Sequence, residues 1–239
     1  MQNLAIDMGN SAIKYAFFAG SALERTSQVS TPDELLQQPE IAAIDNIILS
    51  SVRTGGAELA ERLAYTGTFI SLDYTTPVPL QNHYQTPQTL GMDRLAAAVG
   101  ANYLFPDCDC LVIDAGTCIT CDLVDKEKNF RGGSISPGLQ MKFRAMHTFT
   151  QKLPLVEQTN LPVPLAGRTT VEAMQSGVLN GTVAELNGFI SAYAEICDQL
   201  VVVLCGGDAA FFETSLKAPI FAVPELVLIG LNRILNYNV

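Results

Sequence analysis

The sequence predicts an α/β protein whose two lobes each carry a mixed sheet. Apolar strand-like runs alternate with helical stretches along its 239 residues. The segment Leu4-Ala5-Ile6-Asp7-Met8-Gly9-Asn10 is echoed by Leu111-Val112-Ile113-Asp114-Ala115-Gly116-Thr117 at a constant offset of 107 residues (114 − 7 and 116 − 9). Each copy reads as a strand ending in Asp-x-Gly-[Asn/Thr], followed by a second strand over 12–18 or 119–124. A long-period echo of this kind predicts two similar lobes, 1–107 and 108–239. Their hairpin-like openings make the sheets mixed rather than purely parallel.

The remaining elements follow in order. Thr31-Pro32-Asp33-Glu34 joins a hydroxyl cap to Pro and acids, so a helix starts there. Residues 41–50 read as a strand, 58–64 as a short helix and 68–72 as another strand. Residues 73–92 form a Pro-, Gln- and Asn-containing loop, long enough to suggest function. A helix runs from about 93 to 103. In the second lobe a strand pair at 110–125 precedes Phe130-Arg131-Gly132-Gly133-Ser134-Ile135-Ser136-Pro137-Gly138, a strand and turn opening a helix near Leu139. Residues 153–168 are a Pro-rich loop. Thr169-Thr170-Val171-Glu172 has the form of a capping box and opens a long amphipathic helix through Tyr193. A buried strand at 200–205 ends in Gly206-Gly207-Asp208. A helix at 209–214, a strand at 220–222 and a last helix after Pro224 close the chain.

Composition excludes several classes. The net charge is −10 and the pI about 4.6, so neither nucleic acid nor an anionic membrane surface is an expected partner. No apolar run approaches the ~18–20 residues of a membrane span. The N-terminus lacks the basic region of a signal peptide, and a cytoplasmic location is expected. Six cysteines in a chain of this length do not make a disulfide scaffold. Cys118-x-x-Cys121 with Cys108-x-Cys110 invites a zinc reading, but an odd spacing within a strand points Cys118 and Cys121 to opposite faces. His83 and His147 are the only histidines, which disfavours a Ser-His-Asp hydrolase. With no Trp and scattered Phe and Tyr, no stacking platform for bases is expected.

The Asp-x-Gly turns carry the chemistry. Glycine lets backbone approach a ligand or supplies positive φ, and the N–H groups of such a turn form an anion nest. The adjacent aspartate repels bare phosphate, so the pair suits metal-bound phosphate, with Lys14 adding positive charge. A tight hairpin with an Asp-Gly-type turn is the plainer reading of one such turn. Two on one echo, with Gly-Gly-Asp after a buried strand, favour nucleotide. Neither Gly-x-x-x-x-Gly-Lys-[Ser/Thr] nor Gly-x-Gly-x-x-Gly after a strand is present, so a different architecture would bind it.

Asp7-Met8-Gly9-Asn10-Ser11, Asp114-Ala115-Gly116-Thr117 and Gly206-Gly207-Asp208 resemble the two phosphate motifs and the adenosine motif of the acetate kinase/sugar kinase/Hsp70/actin superfamily. Three further segments resemble type III pantothenate kinase: Asn82-His83-Tyr84-x-x-Pro87-x-x-Leu90-Gly91-Met92-Asp93-Arg94, Gly132-Gly133-x-Ile135-x-Pro137-Gly138, and Thr170-Val171-Glu172-Ala173-Met174-Gln175-Ser176-Gly177. All stand in order between residue 4 and about residue 208. The resemblance implies two ribonuclease H-like lobes with ATP in the cleft between them. It implies ATP-dependent phosphorylation of pantothenate to 4'-phosphopantothenate, the first step of coenzyme A biosynthesis. It also implies Mg²⁺, a monovalent cation (K⁺ or NH₄⁺), and a homodimer whose partner helps close the pantothenate pocket.

The same resemblance assigns roles. Asp93 matches the proton acceptor; an N-cap of the following helix is its other reading. Asp7, Met8, Gly9, Asn10, Ser11, Ala12, Ile13 and Lys14 match the ATP phosphate loop, with Ser11 in place of the more usual Thr. Thr117 matches an ATP contact and Asp114 the potassium-site aspartate, while Gly206 and Gly207 would let adenine lie against backbone. Tyr84, Gly91, Met92, Asp93 and Arg94 match the substrate segment. Arg94 offers a fork for the pantothenate carboxylate; a surface ion pair is its other reading. Arg168-Thr169 stands where the family often has Lys-Asn, so either Thr169 or Thr170 contacts substrate. His83 is expected to orient the loop rather than react. Two rival functions stand beside this one: a catalytically silent nucleotide-binding regulator, and a kinase of another small hydroxyl metabolite on the same fold.

Overall fold

The computed structural model describes residues 1–51, 56–63, 65, 67–160 and 162–239. Its strands are β1 (Gln2–Met8), β2 (Ile13–Ala19), β3 (Ala22–Val29), β4 (Asn46–Ser51), β5 (Thr68–Ser71), β6 (Gln81–Asn82), β7 (Asp109–Ala115), β8 (Cys118–Val124), β9 (Asn129–Pro137), β10 (Leu200–Cys205) and β11 (Ile220–Ala222). Its α-helices are α1 (Pro32–Leu36), α2 (Gly56–Leu63), α3 (Met92–Leu104), α4 (Leu139–Thr148), α5 (Thr170–Gln175), α6 (Gly181–Ala194), α7 (Ala209–Glu213) and α8 (Leu226–Asn238). One sheet runs β3-β2-β1-β4-β5 and the other β11-β10-β7-β8-β9-β6. In the first, β1 is antiparallel to β2 and parallel to β4; in the second, β10 is parallel to both β7 and β11, and β6 to β9.

The chain divides into two compact units, but not at a single point. The first comprises Met1–Cys108, Leu123–Gly132 and Glu225–Val239; the second comprises Asp109–Asp122 and Gly133–Pro224. The sequential split at 107/108 therefore misplaces α8. In the first unit the sheet has two differently used faces. Leu4, Ile6, Met8, Ile13, Tyr15, Phe17, Ile47 and Leu49 pack with Leu35 and Leu59 on one side. Strand alternation sends Asn3, Ala5, Asp7, Lys14, Ala16, Asn46, Ile48 and Ser50 to the other. There Asn3 donates to the side-chain oxygens of Asn232 and Asn236 at 2.9 and 2.8 Å, and accepts from Asn46 at 2.9 Å. These bonds hold α8 to the sheet. Leu228, Leu231, Ile234 and Leu235 bury it further, which recruits a sequence-distant helix into the first unit. Its Gly230 crosses α3 so closely that an added Cβ would meet the Ala96 carbonyl oxygen at 1.8 Å. In the second unit, Leu111, Ile113, Ile119, Phe143, Leu179, Leu186, Val202, Leu204 and Phe212 form the core.

Several local expectations need correction. β3 lacked a signal because nearly all its residues are exposed, so no alternation marks it; pairing with β2 creates it. The strand expected over 41–50 begins only at Asn46, because Pro39 opens a 3₁₀ turn over Pro39–Ala43. Ala64, the expected end of the second helix, lies outside the described residues, as does Leu161 in the Pro-rich loop. The loop at 73–92 contains β6 and a 3₁₀ turn at Pro87–Thr89. The long helix after Thr169 is broken by a π-turn at Ser176–Asn180. There the Ser176 hydroxyl donates to the Leu165 carbonyl at 2.7 Å, anchoring the loop before α5.

Candidate active site

In the first unit, Asp7 ends β1 and stands in register with Lys14 of β2. Opposed residues of an antiparallel pair share a face, so carboxylate and ammonium flank the base of the turn. Gly9, Asn10, Ser11 and Ala12 lie between the paired Met8 and Ile13. Asn10 and Ser11 are exposed, whereas Met8 and Ile13 are buried in the core and hold the turn rather than present side chains to a ligand. Neither Gly9 nor Gly116 has a positive φ, and an added Cβ would make only ordinary contacts, 3.5 Å from Ala12 O and 3.8 Å from Asp114 Oδ1.

The start of α3 places Asp93 and Arg94. Gly91 is the N-cap, so Asp93 occupies the second helical position and is not the cap. Its Oδ1 accepts from the Arg94 amide at 2.9 Å. Met92 is buried and anchors the turn. Arg94 is 7% exposed, which excludes a surface ion pair. Its guanidinium carbon lies 5.6 Å from the centroid of the Tyr84 ring, a cation–π distance that orients the fork. Tyr84 also packs on Phe130, with centroids 6.3 Å apart, and against Gly132.

A polar chain tethers this loop, and sequence reasoning missed most of it. The His83 amide donates to the Phe130 carbonyl at 3.0 Å, and the Gln81 amide to that of Lys128 at 2.8 Å. His83 Nε2 lies 3.0 Å from Asn129 Oδ1. Because Asn129 Nδ2 donates to both Asp125 oxygens, at 2.9 and 3.0 Å, its oxygen is the acceptor toward His83. Arg131 Nε closes the chain on Asp125 Oδ2 at 2.7 Å. The available signal was the spacing Asp125-x-x-x-Asn129-x-Arg131 across a hairpin turn.

Burial pushes the Asp125 carboxyl up, but hydrogen bonds from Asn129 and Arg131 outweigh it and hold the carboxyl below the usual carboxylate range. Its folded pKa is thus below its unfolded one. The stability it contributes is present above an unfolded value of about 3.9 and is lost as pH falls through the folded value. Urea denaturation between pH 3 and 7 is expected to show that acid-side loss in the wild type. Asp125→Asn should be less stable at neutral pH, with the acid-side dependence reduced. Parallel pH curves for the two proteins would exclude the effect.

In the second unit, Asp114 and Ala115 end β7, and Gly116 and Thr117 connect it to β8. The Asp208 amide donates to the Ala115 carbonyl at 2.8 Å, and the Gly138 amide to the Thr117 carbonyl at 3.1 Å. Gly206, at φ +95°, lies so near that an added Cβ would meet Ala115 O at 2.3 Å and Asp114 Oδ1 at 2.4 Å. Gly206 is therefore required by the turn itself, while Gly207 faces open space. Burial raises the Asp208 carboxyl above its ordinary range, against a lowering hydrogen bond from Gln158. Burial also pushes the Cys121 thiol up to about 12, keeping it protonated. Thr169 caps α5 by accepting from the Glu172 amide at 3.1 Å, and the Glu172 carboxylate in turn accepts from the Arg168 amide at 2.7 Å. Thr170 is the first helical residue, exposed and outside the cap.

Residues 3–192 match the family model of type III pantothenate kinase. The chain belongs to that family. Curated type III pantothenate kinases from Cytophaga hutchinsonii and Phocaeicola vulgatus are 46% and 44% identical to it, covering 99% of this chain and 100% and 98% of theirs. Among solved structures, a conserved Baf family protein from Campylobacter jejuni aligns with TM-score 0.65 at 23% identity, covering 98% of both chains. The activator of 2-hydroxyisocaproyl-CoA dehydratase from Clostridium difficile, solved with ADPNP, aligns with TM-score 0.55 at 13% identity, covering 99% of this chain and 94% of that one. These two likenesses concern the fold alone. Among the described residues no helix is long and apolar enough to cross a membrane.

Proposed function

We propose that this member of the type III pantothenate kinase family transfers the γ-phosphoryl group of ATP to the primary hydroxyl of pantothenate, with Asp93 as proton acceptor. The observation that carries the reading is the Tyr84–Arg94 pair beside Asp93, within a chain whose curated relatives carry that name over their full length. Arg94, oriented by the Tyr84 ring, meets the pantothenate carboxylate. Tyr84, Gly91 and Met92 shape the surrounding wall. Asp93 accepts the hydroxyl proton as the new P–O bond forms, and ADP leaves. Thr170, free of cap duty, is the better candidate for the substrate contact than Thr169.

Asp7 to Lys14 and Thr117 would hold the ATP phosphates, and Gly207 the adenine. Among the described residues no group of three His, Cys, Asp or Glu side chains converges. The donors present, the Asp7 and Asp114 carboxylates, are hard oxygens. They suit Mg²⁺ shared with nucleotide phosphates, and K⁺ or NH₄⁺ at Asp114. Bound magnesium would neutralise phosphate charge. A homodimer fits the large apolar side chains left exposed in the second unit, Phe149 and Leu165 being 86% and 85% accessible.

The test is ADP release with ATP, Mg²⁺ and KCl, with and without pantothenate. Pantothenate-dependent ADP and a phosphopantothenate product are expected, with a lower rate when NaCl replaces KCl. Nucleotide binding without turnover would favour the regulator. Turnover with another hydroxyl metabolite alone would reassign the acceptor. Equal rates in both salts would remove the cation from Asp114.

A further inference from the structure

Ser50 is fully buried, and its hydroxyl has no hydrogen-bond partner. A buried polar group left in that state calls for an explanation. Its place in the sheet supplies one. Ser50 of β4 is in register with Asp7 of β1, and Asp7 with Lys14 of β2. Residues in register share a face, and neighbouring strands lie about 4.8 Å apart. Lys14, Asp7 and Ser50 therefore form one polar row across three strands, immediately before the turn at 9–12. The other polar row on this face, at the opposite strand ends, is fully engaged: Asn3 and Asn46 bond to each other, and Asn3 to Asn232 and Asn236. Only the row beside the turn keeps a hydroxyl in reserve.

We propose that Ser50 is a positioning residue of the nucleotide phosphate site. Its hydroxyl, a freely rotating donor, turns to the Asp7 carboxylate when magnesium-bearing phosphates enter the turn and fixes the carboxylate's orientation. The inference rests on reading residues 7–14 as the phosphate loop. Before nucleotide binds, the hydroxyl is a defect of the fold; afterwards it is a hydrogen-bond donor to a charged group.

This gives opposite signs for two measurements on Ser50→Ala. Without nucleotide, the variant should melt at or above the wild-type temperature, because the unpartnered hydroxyl is gone. Calorimetric titration with Mg·ATP should show about tenfold weaker binding, the size expected for a lost hydrogen bond to a charged group. The melting shift on adding Mg·ATP should shrink accordingly. Ser50→Thr, which keeps the hydroxyl, should bind within about threefold of wild type. Unchanged Mg·ATP affinity in Ser50→Ala overturns the proposal. So does a lower melting temperature without nucleotide, which would make Ser50 structural. A wild-type chain that fails to bind Mg·ATP overturns the phosphate-loop reading instead, and the inference with it.

Discussion

Asp93→Asn is expected to reduce turnover by about 10²–10⁴-fold, the usual contribution of a positioned general base, while Mg·ATP affinity changes by less than about threefold. The structure makes this a clean substitution. Gly91, not Asp93, caps α3, so removing the charge does not remove the cap. The acceptor role of Asp93 Oδ1 toward the Arg94 amide is retained by the asparagine oxygen. The helix should therefore keep its position, and the melting temperature should move little. Steady-state kinetics with separate nucleotide titration measures both quantities. Near-wild-type turnover would leave Asp93 with a local role at the helix start and require another proton acceptor.

Gly206→Ala is expected to destabilise the chain by about 2–5 kcal/mol, from a strained backbone angle and a steric conflict together. At φ +95° an L-residue is strained whatever the space around it. The added methyl would also overlap the Ala115 carbonyl and the Asp114 carboxylate. For a chain of this size the loss corresponds to a melting temperature lower by roughly 5–15 °C. Gly207→Ala is the internal control. No atom lies within 4 Å of its Cβ position, so stability should hold while ATP binding weakens if adenine lies there. Thermal and urea denaturation of the two variants decide between these outcomes. Equal, small effects would show that the turn at 114–117 yields more readily than its packing suggests.

The contrast between these glycines shows where sequence reading stops. Both belong to one motif, and the resemblance assigned them one role. Tertiary packing separates them, because only Gly206 is pressed against another strand's turn. Asp93 behaves in the same way. Asp ahead of a helical pattern reads as a cap or as a base, and the cap falls to Gly91 once the helix start is observed. Arg94 reads as a carboxylate fork or as a surface ion pair, and its burial over Tyr84 removes the second reading.

What the sequence by itself determined is local in origin. The strand–turn–strand echo of Asp7-x-Gly9 and Asp114-x-Gly116, the Thr31 and Thr169 caps, the α/β alternation and the family motifs all depend on neighbours a few residues apart. Periodicity, turn chemistry and capping act over such distances and leave their mark in order along the chain. Tertiary structure alone decided the rest: the return of α8 to the first unit, the Asp125–Asn129–His83 tether, the two fates of Gly206 and Gly207, and the row of Lys14, Asp7 and Ser50. Each joins residues far apart in sequence through a strand register, a helix crossing or a buried hydrogen bond. Such contacts exist only once hydrophobic burial has brought distant segments together, so no local pattern records them.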